Sequence, residues 1–404
     1  MLTRRGWAVC LSSGGFAIAG RLLGIPELYA VAVAALAVVG GAIGYVRFWP
    51  WQIDAQREVH PPQVHADGSS RVELAVRNLD QRSSPVLSAR DPFDEGRRWA
   101  RFRLAPLEPG ELARAAYRLP TSQRGIFPLG PLQIGLTDPF GLAQLSVESA
   151  PKTTLTVYPR VESIQPLPQA QGADPDGVTG RPSLGAGGED FYALRAYQTG
   201  DDLRRVHWPS TARQDDLMIR QDELPWQGRV TVFADLRASV QTPPSLELTL
   251  SAVASIIHAG WRDHRQVRLV VTDGTDTGFG AGHAHLMAIL EYLAAADMHV
   301  SGHLPRVMAA LSRGATSGGV AVVTTDALAD QDMIGLGRLP SRFGSVAVVI
   351  IERSAWDSSA QQRHHREVPG LGRVVRVNAG QTFGVAWDSV VPVRPSRLRE
   401  RVSP

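Results

Sequence analysis

The chain contains one cysteine in 404 residues, Cys10, and it lies in an apolar stretch. An intrachain disulfide and a cysteine-based zinc site are therefore excluded. No G-x-x-x-x-G-K-[ST] phosphate-binding loop occurs, and the glycine-rich end of the 161–188 stretch does not supply one. No G-x-S-x-G nucleophile elbow occurs either. No basic stripe interleaved with aromatics stands out along an expected strand or helix, so nucleic acid is not an expected partner. Disorder is not the default, because 44% of residues are hydrophobic and 20% charged, ordinary values for folded protein. The net charge of +3 is small, and its excess sits near the N-terminal apolar segments and in the tail VRPSRLRERVSP.

The first 50 residues stand apart. Leu28 to Val46 is 19 residues without a charge, bounded by Glu27 and Arg47. That length suits a helix crossing a hydrocarbon core. Gly6 to Gly20 is 15 uncharged residues, and it reaches spanning length through Leu22–Ile25 if Arg21 snorkels. The tight Pro26-Glu27 connection suits a helical hairpin, and Gly40/Gly44 with Gly15/Ala19 would let two helices approach closely. A cleaved signal peptide is the rival reading, with Arg4 and Arg5 ahead of Ala17-Ile18-Ala19. In the hairpin reading Arg4, Arg5, Arg47 and Arg57 share one side, which places both termini and the soluble body in the cytoplasm. The expected location is the cell membrane, multi-pass, with cytoplasmic soluble domains.

From 51 to 160 the pattern is short alternating strands broken by turns. RVELAVRN places Val72, Leu74 and Val76 on one face, the period-two signature, and the turn spacing is that of a β-sandwich. His60 and His65 flank Pro61-Pro62 in an expected linker and read as a loop pair, not a metal site. Residues 161–188, rich in Pro, Gly, Gln and Asp, read as a linker or surface loop. Residues 226–392 alternate near-continuous Val/Ile runs with amphipathic helical segments, which argues for a mostly parallel sheet covered on both faces. A basic tail, 393–404, follows. The fold class is multidomain: a transmembrane hairpin, a β-sandwich, then an α/β domain. In such α/β sheets ligands bind at the carboxyl ends of strands, where Asp235, Asp273 and Asp326 lie.

Between linker and sheet sits GDDLRRVHWPSTARQDDLMIR, residues 200–220, with four acids and four arginines in 21 residues. His207, Ser210, Asp201 and Asp202 supply the residue types of a hydrolytic triad, but such sets are normally assembled from distant parts of a chain. The structural reading pairs Arg195, Arg204, Arg205 and Arg213 with Glu189, Asp190, Asp201 and Asp202 to fix a loop. Asp201 or Asp202 would cap a short helix, Trp208 would be buried against the sheet as the apolar anchor, and LMIRQDE would continue as a strand.

The run RGIFPLGPLQIGLTDPFGL, followed by GGEDFYALRAYQTGDDLRRVHWPSTARQDDLMIRQDE and strand-Asp-helix, resembles the bacterial membrane proteins carrying the domain of unknown function 58. The resemblance implies a C-terminal domain similar to the von Willebrand factor type A fold. It also implies partnership with a MoxR-type AAA+ ATPase and a membrane transglutaminase-like protein, and no established enzymatic activity. The motif residues it singles out are Arg195, Tyr197, Gly200, Asp201, Asp202, Arg204, Arg205, His207, Trp208 and Arg213. Type A domains often bind Mg²⁺ through D-x-S-x-S plus a later threonine and aspartate. Here Asp235 and Ser239 fit, Arg237 replaces the first serine, Asp326 is the candidate later aspartate, and no threonine is identifiable.

A guanidinium has no acceptor and cannot ligate a metal. The expectation is a degenerate site in which Arg237 bridges Asp235 and Asp326 as a fixed internal cation; the alternative is an Arg237 that points to solvent. No cofactor is expected, and Mg²⁺ is the one candidate. The favoured function is a non-enzymatic membrane-anchored adaptor for the ATPase in envelope-associated protein maturation. An adhesion-type Mg²⁺-binding domain and a hydrolase using His207 and Ser210 are the alternatives.

Overall fold

The computed structural model describes residues 2–48, 52–94, 96–168, 191–196, 206, 208, 211, 217–222, 228–300, 304, 318–360 and 370–391. They fall into two compact units, Met1–Tyr158 and Pro159–Pro404.

The first unit opens with helices α1 (Arg4–Leu23) and α2 (Glu27–Phe48), both long and apolar enough to cross a membrane. Gly24 ends α1 at φ 69°, a conformation that glycine adopts without penalty. The helices meet at positions other than the expected glycine pairs. Ser13 Oγ donates to the Ala32 carbonyl at 2.8 Å, and a Cβ on Gly20 would lie 3.3 Å from Leu28 Cβ. A Cβ on Gly15 or Gly40 would meet open space, and one on Gly44 only Phe48 of its own helix. The small-residue pairs thus face outward.

Ten strands follow: β1 Ile53–His60, β2 Gln63–His65, β3 Arg71–Asn78, β4 Leu87–Phe93, β5 Arg98–Leu104, β6 Leu112–Arg118, β7 Gly125–Leu129, β8 Leu132–Thr137, β9 Gln144–Ala150 and β10 Thr153–Tyr158. They form sheets ordered β1-β3-β6, β2-β10-β7 and β5-β4-β8-β9, antiparallel except for the β2–β10 pair. Period-two burial along β3 sends Val72, Leu74 and Val76 inward, where they share one core with Leu87, Ile134, Leu136 and Leu155. His60 and His65 end strands rather than a linker, and His60 Nε2 lies 2.9 Å from Glu58.

Two basic features differ from expectation. Arg57 is not a membrane-flanking charge. Its side chain is buried in the sandwich, donating to Asp91 at 2.7 Å and to the Leu129 carbonyl at 3.0 Å, while Tyr117 donates to the other Asp91 oxygen at 2.8 Å. Burial first, and then the Asp91 charge, push the Tyr117 phenol far above its usual range. On β4 and β5, Arg90 and Arg101 stack over Trp99 at 4.5 and 5.0 Å, a basic and aromatic patch that the sequence did not announce.

The second unit contains a two-stranded antiparallel ribbon, β11 Phe191–Ala196 with β12 Met218–Asp222. Its main sheet has five parallel strands in the order β14-β13-β15-β16-β17: β13 Arg229–Ala234, β14 Gln266–Val271, β15 Gly319–Thr325, β16 Ser345–Ile351 and β17 Val374–Val377. Unbroken Val/Ile/Ala runs leave β15 and β16 buried at every position, as a sheet covered on both faces requires. On one face Phe233, Val322 and Val348 pack with Leu336 and Phe343. The helix Pro243–Arg262 packs against β13, β14 and β15, and Gly260 lets it approach: a Cβ there would lie 3.2 Å from Val267.

Residues 161–168, expected as linker, are instead a strap bound to this unit. Glu162 N–H donates to Ser255 Oγ at 2.9 Å and Glu162 Oε2 accepts from Gly384 N at 2.8 Å. The indole of Trp387 donates to the Gln165 carbonyl at 2.8 Å, and Ile164 and Leu167 are buried. Their apolar side chains, interleaved with prolines, were the signal that the Pro/Gly count obscured.

Candidate functional site

Strand order fixes where a site would form. β13 is followed in sequence by β14 on one side, while β15, the next strand, lies on its other side. The connections therefore leave β13 and β15 in opposite directions, and a crevice opens beyond their carboxyl ends. Asp235 follows β13 and Asp326 follows β15, so both acids stand at this point.

The Asp235 carboxylate is fully buried. Arg237 Nε and Nη2 donate to its two oxygens, each at 2.8 Å, and Thr324 Oγ1 donates to Oδ2 at 3.0 Å. This forked pairing matches the planar guanidinium to the planar carboxylate. Nη2 also donates to Asp332 Oδ2 at 3.0 Å, from the first turn of the helix Asp330–Gly337. Burial works against the charge on Arg237, but its bonds to Asp235 and Asp332 outweigh that and hold the guanidinium well above its ordinary range.

The loop carrying Arg237 is held from several directions. Ala238 N donates to the His299 carbonyl at 2.9 Å, Gln241 Nε2 to the Asp235 carbonyl at 2.6 Å, and Thr325 Oγ1 to the Val240 carbonyl at 2.7 Å. Leu236 N donates to Thr272 Oγ1 at 2.9 Å, which in turn lies 2.9 Å from His299 Nε2. Arg237 is thus placed by the backbone around it as well as by its acids.

Arg237 is the internal cation that the sequence suggested, but its second partner is Asp332, not Asp326. Asp326 is paired separately with Arg353, whose Nε donates to Oδ1 at 3.0 Å. Ser239 is exposed in the following turn and stays outside the network. The arrangement does not fit a magnesium ion, because each candidate acid is already engaged by a guanidinium, Asp235 by Arg237 and Asp326 by Arg353. Among the described residues no cluster of three or more His, Cys, Asp or Glu side chains is placed to hold a metal. Asp273, the third strand-end acid, accepts from Thr275 N at 2.8 Å and from the Tyr292 hydroxyl at 2.7 Å. Against the effect of its burial, these donors hold the Asp273 carboxyl below its usual range. Burial first, and then Asp273, push the Tyr292 phenol up to about 12.

Of the charged motif, Arg195 lies in β11 opposite Ile219 of β12, so Met218–Asp222 within the expected LMIRQDE strand does form one, while Glu223 lies outside the described residues. Trp208 is not a buried anchor; it is 68% exposed. Tyr197, Gly200, Asp201, Asp202, Arg204, Arg205, His207, Ser210 and Arg213, with the expected helix cap and triad, lie outside the described residues. Residues 193–381 match the family model described as "Protein of unknown function DUF58".

This stretch is a DUF58 domain. Its parallel sheet with covering helices is consistent with a von Willebrand factor type A-like fold. No curated protein matches the chain. Among solved structures, a CARDB domain from Pyrococcus furiosus, crystallised in complex with di-metal ions, is 15% identical, with a TM-score of 0.22 over 26% of this chain and 93% of that one. A beta-glucosidase from Listeria innocua is 13% identical, with a TM-score of 0.18 over 25% of this chain and 17% of that one. Likenesses this slight leave the metal ions and the glycoside chemistry with those proteins.

Asp332 and Arg353 were missed by sequence reasoning. A weak signal existed for each: an acid three residues past Ala329 at a helix start, and a Glu-Arg pair directly after a strand.

Proposed function

We propose that the protein is a membrane-anchored, non-enzymatic adaptor whose DUF58 domain docks a MoxR-type AAA+ ATPase, with its soluble units in the cytoplasm. The observation that carries this reading is the occupied switch point. Where an open α/β sheet would receive a ligand, Asp235 and Asp332 are paired with Arg237, and Asp326 with Arg353. Acids engaged in this way serve rigidity and shape, and a rigid shape is what a docking module presents.

Trp208 supports the same reading, since an exposed tryptophan is the residue type that most often anchors a protein interface. The cytoplasmic orientation is supported by Arg4, Arg5 and Arg47, all exposed at the end of the hairpin away from its turn. The ATPase as partner rests on the family resemblance.

The test is purification of the tagged full-length protein from its own membranes, with and without MgATP, followed by identification of what co-purifies. Nucleotide-dependent recovery of an AAA+ ATPase, lost in Trp208→Ala, is the expected result. Because Trp208 is exposed, that variant should melt within about 0.5 kcal/mol of the parent. An intact protein that recovers no ATPase under either condition would refute the adaptor reading.

A further inference from the structure

One end of the sandwich meets the helices, and that end is built differently from the other. The connections 79–86, 105–111 and 138–143 lie there. Leu79 N donates to the Gln52 carbonyl, Leu87 pairs with Leu136 next to the end of β8, and the 138–143 turn is clamped to the start of α1. The clamp is close. Thr3, the N-cap of α1, donates its hydroxyl to the Gly141 carbonyl at 2.6 Å and its N–H to the Leu142 carbonyl at 2.9 Å. A Cβ on Gly6 would lie 2.2 Å from the Leu142 oxygen, so a larger residue there would force helix and turn apart.

The exposed apolar side chains in the connections follow the same polarity. At the helix end Leu79, Val86 and Phe140 are 56%, 55% and 69% exposed. In the described residues of the connections at the opposite end, 61–62, 66–70, 94–97, 119–124, 130–131 and 151–152, no large apolar side chain is exposed. Phe140 belongs to the turn bonded to the α1 N-terminus, and Trp7 in the first turn of α1 and Phe48 ending α2 are exposed as well. Arg5 reaches within 3.8 Å of where a Gly141 Cβ would stand, so a cation flanks the turn. Aromatic side chains with adjacent arginines, at the end of an apolar helix pair, are the composition of a membrane–water boundary.

We propose that the 138–143 turn seats the sandwich on the bilayer, with Phe140 inserted at the boundary between lipid headgroups and acyl chains. The inference rests on the reading of α1 and α2 as membrane-spanning. The seat is tilted: the 105–111 connection at the same end carries exposed Glu108 and Glu111, which keep that side in water. Insertion is confined to the side of the end where the turn meets α1.

The experiment uses the full chain with Cys10→Ser in phosphatidylcholine/phosphatidylglycerol nanodiscs, spin-labelled at one introduced cysteine at a time. The sites are Phe140→Cys, Pro139→Cys on the same turn, Glu108→Cys, Ser122→Cys and Leu36→Cys. Accessibility to oxygen is compared with accessibility to a water-soluble nickel chelate. The expected oxygen-to-nickel ratio is highest at Leu36→Cys, severalfold above water level at Phe140→Cys or Pro139→Cys, and at water level at Glu108→Cys and Ser122→Cys. A lipid-level Leu36→Cys with both turn sites at water level would overturn the seat and leave the hairpin standing. A water-level Leu36→Cys would overturn both.

Discussion

Replacing Arg237 by methionine keeps most of the side-chain length and removes its charge and all its donors. Asp235 would retain only the Thr324 hydroxyl and the long bond from the residue 237 N–H at 3.4 Å, and Asp332 only the Ala329 N–H at 3.3 Å; the other Asp332 oxygen is already buried without a partner. The Asp235 and Asp332 side chains are 0% and 1% exposed, so water cannot replace the guanidinium. Removing one member of a buried ion pair costs about 3–5 kcal/mol, and the loss of a cation shared by two acids belongs near the upper end. At about 2–4 °C per kcal/mol for a unit of this size, the melting temperature should fall by roughly 8–20 °C.

The assay is thermal unfolding of the detergent-purified full chain by tryptophan fluorescence. Adding Asp332→Asn to Arg237→Met should cost less than the sum of the two single changes, with a coupling of about 1–3 kcal/mol. A fall under about 2 °C, or strict additivity, would refute the shared-cation account.

Arg57→Met should destabilise the sandwich by about 3–5 kcal/mol by stranding Asp91, and Gly130→Ala should also be damaging, because its Cβ would lie 2.2 Å from Arg57 Nη1 at φ 84°; both are read from unfolding midpoints. Calorimetric titration of the wild-type chain with Mg²⁺ should give no saturable heat, and stoichiometric binding suppressed by Asp235→Asn would show that Arg237 does not stand in the ion's place. Ultraviolet difference titration against Tyr292→Phe should place the Tyr292 phenol near 12, and Asp273→Asn should move it back toward about 10. The Asp273 carboxyl, held low, contributes stability that is lost as pH falls through its folded value, so Asp273→Asn should flatten the acid limb of the stability curve.

The parallel sheet was legible because parallel strands covered on both faces must be apolar throughout, and GVAVVTT and SVAVVII have no other reading. RVELAVRN was legible for the opposite reason, since one wet face leaves period two in the letters. The presence of an internal arginine followed from chemistry, because Arg237 stands where a ligand would have to be. Its partner did not follow. Asp326 and Asp332 are six residues apart, and which one faces Arg237 depends on how the chain turns after β15. Arg57 and Trp208 were misplaced for a common reason: neither charge near a helix end nor aromatic bulk reports burial when tertiary packing supplies the partner or withholds it.

The bonds between Thr3 and the 141–142 turn join residues up to 139 positions apart. During synthesis at about 5–20 residues per second, Thr3 exists for roughly 7–28 s before Leu142 is made. The two apolar helices are complete early in that interval, whereas the clamp cannot form until the turn exists. β9 and β10 are made later still, so the clamp can close before the sheets of the first unit are complete. A nascent chain halted before the turn would carry both helices with Thr3 unclamped, and proteolysis near Thr3 would report whether the turn has reached it.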